Sequence, residues 1–285
     1  MDSAKVMSIL ITKGGNVIQY AGLPFLQEKL IPHIAIPTTA GTGSEVTRFA
    51  MIKDHEKGLK YAFADVKLIP DVALLDPQMT VGLPPNITAA TGIDALTHAI
   101  EAMHSTQHQS ISDGLSLEAI KLIFAHLPLC VTDGKDVFAR ANQLLASTMA
   151  ALSFDNAMVG IVHALAHAVG GKFGVHHGTA NAIFLPHGMR FNMSKASRRY
   201  ALIGEALGLD EEGNMTPEQL AEAVVKAVEE LIEKVGVPRK LSEVGVPHDK
   251  LEMLAGEAMI DPSIITNPRP VMTPKELLPV FEQAY

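Results

Sequence analysis

Cysteine is nearly absent from this chain of 285 residues, with Cys130 as the only one. A single thiol excludes an intrachain disulfide framework and any cysteine-based zinc finger, and it suits a reducing compartment. Aromatic residues make up only 5% of the sequence, and no basic run interrupts a formal net charge of −8. Such a chain has neither a positive track for phosphates nor stacking surfaces for bases, so nucleic acid is not an expected partner. Near the start the apolar stretch at residues 6–12 is too short and too poorly flanked for a signal peptide or a membrane span. The expectation is a soluble, cytoplasmic protein with no membrane partner. Its length suits one or two domains with a sizeable core.

In chain order, residues 2–12 combine an acidic start with apolar Val6, Ile9 and Leu10, followed by Lys13, Gly14 and Gly15. That pattern predicts a short helix with a glycine stop. Residues 33–37 (HIAIP), 49–53, 60–64 and 72–76 are brief, β-compatible and bounded by charge or proline. Between the first two lies TTAGTGSE, a small, hydroxyl-rich loop. From Leu83, Pro84 and Pro85 onward, helical periodicity is nearly continuous and no strand is expected. Thr216, Pro217 and Glu218 start a helix with Leu220, Val224, Ala227, Val228, Leu231 and Val235 on one stripe and Gly236 as its stop; Thr273 to Glu276 forms a capping box for the last one. The division expected is an α/β portion at residues 1–80 and an all-helical portion at 81–285.

The stretch GIVHALAHAVGGKFGVHHG, residues 160–178, carries the densest chemistry. His163 and His167 stand four apart, and His177 follows ten later beside Gly178. Upstream, GIDALTHAIEA places Asp94 and His98 at the same four-residue spacing. Either pair alone is as compatible with structural histidines as with ligands. Position 164 is Ala, where a zincin helix would need its Glu. Four converging groups, one carboxylate and three imidazoles, would suit Fe(II) or Zn(II) and leave positions open for a substrate oxygen.

Together these residues resemble a known family. GxxHxxxHxxG followed by six residues and HG, with PTTAGTGSE at 37–45, TGIDALTHAIEA at 91–102, LPHGM at 185–189 and NPRP at 267–270, is similar to the iron-dependent (group III) alcohol dehydrogenases in motif and order. The resemblance runs from residue 2 to the C-terminus. It implies a dehydroquinate synthase-like fold, in which a truncated Rossmann-like α/β portion precedes an all-helical metal-binding catalytic domain. It also implies that Asp94, His98, His163 and His177 are the metal ligands. His167 becomes a proton-relay or supporting residue near the nicotinamide, and Phe154 part of the substrate pocket. Thr38, Thr39, Thr42, Thr47 and Lys60 fall on the side that holds NAD(P). His176 is expected to be solvated and His187 structural.

The family's GGGS loop precedes DxAK, and here DSAK stands at residues 2–5 with no GGGS before it. By this comparison the first strands of the dinucleotide fold are expected to be missing. The function implied is hydride transfer between NAD(P)(H) and a small primary alcohol or diol, in a homo-oligomer. The alternative is a truncated metal-binding relative with weak or no dehydrogenase activity, inert or hydrolytic.

Overall fold

The computed structural model describes residues 1–22, 26–54 and 59–285, leaving out the side chains of Asp54, Leu59 and Lys60. Helix α1, Asp2–Lys13, is followed by strands β1 (Ile34–Ala35), β2 (Phe49–Asp54), β3 (Leu59–Ala64) and β4 (Val72–Ala73). β1 and β4 pair in parallel, Ile34 opposite Val72, while β2 and β3 pair antiparallel from Phe49 opposite Ala64. The strands expected at 33–37 and 72–76 are thus reduced to two residues each. Val6, Ile9, Leu26, Leu30, Ala50, Phe63 and Leu68 form a small core of their own beneath α1.

DSAK explains how this portion is tied together. Asp2 accepts from Ser44 Oγ at 2.7 Å and from the Met51 amide at 2.9 Å. Lys5 is fully buried and donates to the carbonyls of Thr47 at 2.6 Å and Phe49 at 2.8 Å. One turn of α1 therefore fixes both the hydroxyl-rich loop and the start of β2. Burial pushes the Lys5 ammonium down to about 8, against the pull of Asp2, Asp155 and Glu45.

After residue 80 the described residues are helical, as expected. The helices are α2 (Pro85–His104), α3 (Ser110–Thr132), α4 (Val137–Ala157), α5 (Ile161–Phe173), α6 (His177–Ala206), α7 (Pro217–Val235), α8 (Leu251–Met259) and α9 (Leu278–Gln283). The capping box at Thr273 with Glu276 is present, but it opens a single 3-10 turn, Pro274–Glu276, and α9 begins after it. α7 has its expected start and stop, and nearly all of its stripe: Thr216 accepts from the Gln219 amide, and Leu220, Val224, Val228, Leu231 and Val235 are buried while Ala227 is half-buried. Each such side chain contributes roughly 1.5–3 kcal/mol by leaving water. α3 is long and apolar enough to cross a bilayer, with a mean hydropathy of 1.5, and it packs against α2 and α4.

α2 is the hub, because every residue from Thr88 to His104 is buried and α3, α4 and α6 all pack on it. A helix apolar all round would need nothing more. α2 instead carries Asp94, His98, Glu101 and His104 at intervals of three or four, a polar stripe inside the core. α6 reaches this stripe through Gly178, where a Cβ would stand 2.1 Å from the Ala90 carbonyl oxygen. Gly43 allows a similar approach of the loop to α4: its φ is +58°, and a Cβ would overlap that of Ala151. Replacing Gly178 by Ala should force α2 and α6 apart and cost about 1–3 kcal/mol. A lowered denaturant midpoint in chelator-treated protein is the expected readout.

Candidate metal centre

Asp94 and His98 lie one turn apart on the buried stripe of α2, His163 comes from the first turn of α5, and His177 opens α6. Asp94, His98 and His163 each offer a ligand atom, and the three atoms lie within 4.8 Å of one another. His177 joins them, its Nε2 standing 3.4 Å from Asp94 Oδ1. The rings form a column. Phe49 stacks on Phe154 at 6.4 Å, Phe154 on His98 at 4.3 Å and His98 on His163 at 4.6 Å between centroids.

The titration of these groups suits cation binding. Burial pushes the His98 imidazole down to about 4, although Asp94 pulls the other way, so at neutral pH the ring is uncharged. Burial lowers His177 too. Asp94 sits below the ordinary carboxyl value: burial would raise it, and the surrounding His98, His177 and His163 outweigh that. An ionised carboxylate beside the uncharged imidazoles of His98 and His177 fits a divalent cation with N and O ligands.

Glu101 is the residue that sequence reading missed. It is fully buried, and its carboxylate accepts from the amides of Gly160 at 2.9 Å, Val162 at 2.7 Å and His163 at 3.4 Å. His163 Nδ1 stands 2.6 Å from Oε2. With backbone donors already on the carboxylate, the ring supplies this proton, which leaves the lone pair on Nε2. The same carboxylate therefore caps α5 and sets the tautomer of His163. Its place on the stripe of α2, seven residues after Asp94, was the available signal. Asn267 of the NPRP motif completes the cap, its Oδ1 accepting from the Ile161 amide at 3.2 Å.

His167 does not share the cluster of ligand atoms. Its ring stacks on His177 at 5.2 Å, and its Nδ1 pairs with Asp261 Oδ2 at 2.8 Å. Asp261 lies past the end of α8, so no local pattern in the sequence connects the two. Burial would raise the Asp261 carboxyl, but hydrogen bonds and charge from His167, with help from Ser263, bring it down to about 2.

The loop residues divide. Thr38 and Thr42 are exposed and Thr39 half-buried, whereas Thr47 is buried with its hydroxyl 3.4 Å from Lys5 Nζ. The side chain of Lys60 lies outside the described residues. The backbone of Gly41 reaches His98, which connects the loop to the centre. His176 is exposed, and His187 lies on α6 away from the cluster.

A helical body with a carboxylate and imidazoles gathered on its buried face, packed beside a small α/β portion, is an arrangement suited to a cation-dependent enzyme. Comparison with known proteins supplies the family. The model for the iron-containing alcohol dehydrogenases matches residues 1–77, and that for the C-terminal part of the Fe-containing alcohol dehydrogenase family matches 88–285. The chain is 41% identical to alcohol dehydrogenase 4 of Saccharomyces cerevisiae, over 100% of its own length and 73% of that protein's. It is 36% identical to the NAD-dependent methanol dehydrogenase of Bacillus methanolicus, covering 99% of this chain and 74% of the relative. The crystal structure of a 1,3-propanediol oxidoreductase superposes with a TM-score of 0.96 at 36% identity, over 100% of this chain and 74% of that one. The chain belongs to the iron-containing alcohol dehydrogenase family.

Two outcomes test the supporting residues. Glu101→Ala strands several buried donors and should cost about 3 kcal/mol or more, read as a lower denaturant midpoint. Asp261 contributes stability that is fully present above its ordinary value of 3.8 and is lost as pH falls through about 2. Asp261→Asn should therefore be less stable than the wild type near neutral pH by on the order of 2 kcal/mol, a gap that closes in strong acid.

Proposed function

We propose that the chain transfers hydride between NAD(P)(H) and a small primary alcohol or diol, with Fe(II) or Zn(II) held by Asp94, His98, His163 and His177. The observation that carries this reading is the meeting of those four residues from three helices, with His98 and His177 kept neutral by burial. Relatives named for methanol and 1,3-propanediol support small alcohols as substrates, and the NAD-dependent relative supports the cofactor.

When bound, such an ion lowers the pKa of an alcohol oxygen, and the nicotinamide exchanges hydride with the substrate carbon. The remaining work falls to the chain. His167, oriented by Asp261 through Nδ1, presents its other nitrogen as the proton carrier. Phe154, stacked on His98, forms an apolar wall for the substrate and excludes water. Thr38, Thr39 and Thr42 are read as the hydroxyl donors to the dinucleotide, with Thr47 supporting the loop from within; the family resemblance assigns Lys60 to the same cofactor side.

We read residues 1–80 as part of a Rossmann-like dinucleotide-binding domain and 81–285 as the metal-binding domain of a dehydroquinate synthase-like fold. The two separate hydrophobic cores and the parallel β1–β4 pair support this division.

Iron- or zinc-loaded protein should reduce NAD(P) in the presence of a small primary alcohol, followed at the absorbance band of the reduced cofactor, and chelation should abolish the signal. His167→Ala should keep its metal and lose about 10²–10⁴ in kcat. Protein that holds the cation yet neither binds NAD(P)(H) nor turns over would sink the dehydrogenase reading.

A further inference from the structure

Asn181 lies one turn after His177 on α6 and is fully buried. Its Nδ2 donates to Asp94 Oδ1 at 2.7 Å and stands 3.4 Å from His163 Nε2 and 3.3 Å from His177 Nε2. One amide nitrogen thus faces three of the four candidate ligands. Chemistry fixes its orientation: turned over, the amide would set its oxygen against a carboxylate oxygen and two ring nitrogens. In the orientation found, Oδ1 is buried without a partner among the described residues. Leaving such an atom unpaired is unfavourable, so the donor side of the amide must more than offset it.

The three contacts are not equivalent. A neutral imidazole has one lone pair on its unprotonated ring nitrogen, whereas a carboxylate has several to share. Only the bond to Asp94 can persist while its acceptor also binds a cation. Asp94 is the one anionic member of the set, so its direction governs the electrostatics of the whole centre.

We propose that Asn181 is a positioning residue that acts through Asp94, holding the carboxylate of α2 from the neighbouring helix α6 so that it stays within reach of His177. The inference rests on the metal-centre reading above. It adds a residue outside the ligand set, and Gly178 serves it by bringing α6 close enough to α2 for the amide to reach.

The test is a double-mutant cycle on the full chain, using Asn181→Leu, Asp94→Ala and the double variant, with Zn(II) affinity measured by chelator competition and Co(II) visible spectra as a report on ligand geometry. Asn181→Leu should weaken Zn(II) binding by about 10–100-fold and shift the Co(II) bands, while chelator-treated protein keeps the wild-type melting temperature. In the Asp94→Ala background it should weaken binding no further. Asn181→Ser keeps a shorter donor in less volume and should fall between wild type and Leu, which covers the case of a Leu variant that does not fold. An affinity within about twofold of wild type, or a loss that adds in full on Asp94→Ala, overturns the proposal. Wild-type protein that takes up no cation sinks the underlying reading instead.

Discussion

The buried carboxylate of Glu101 is the constraint on which the rest of the architecture depends. Backbone amides at the start of α5 and the ring of His163 converge on it, in a place shut off from bulk solvent. Burial raises the Glu101 carboxyl, and His104 with the amides of Gly160, Val162 and His163 opposes that rise; a carboxylate at 0% exposure needs such donors, and the unsatisfied amides of a helix N-terminus are a ready supply. That requirement fixes α5 against α2 in angle and register. Once it is met, His163 has one possible position and one tautomer, and α6 can bring His177 alongside.

Around that joint, several buried polar groups are paired with partners from other elements. Tyr200 meets His104 at 2.8 Å, Asn192 and Asn267 bond each other, and Arg48 holds Asp155 through both backbone and side chain. The α/β portion is tied in by the same logic, since Asp2 and Lys5 bind the loop whose Gly41 backbone reaches His98. Polar groups fix which surfaces meet, while the apolar side chains of α2, α6 and α7 supply most of the favourable burial.

Much of this was legible in the chain. Helical periodicity, the Thr216 cap and the glycine stop give α7 nearly to the residue, because those signals are local. The spacing of Asp94 with His98 and the run from Gly160 to Gly178 mark the candidate ligands. The family likeness connects those segments. The β-compatible runs at 33–37 and 72–76 form strands of only two residues each, since such a run extends only as far as a neighbouring strand pairs with it.

By itself the sequence determined the helical character after residue 80, the family, and the residue types available for a cation, all of which follow from short-range pattern and motif order. Only the tertiary structure decided which groups meet. Glu101 and His163 are 62 positions apart, Asn181 and Asp94 are 87, and His167 and Asp261 are 94. No periodicity spans such distances. These pairings arise because helices pack so that buried donors and acceptors satisfy one another, and that condition belongs to the folded core rather than to any one segment.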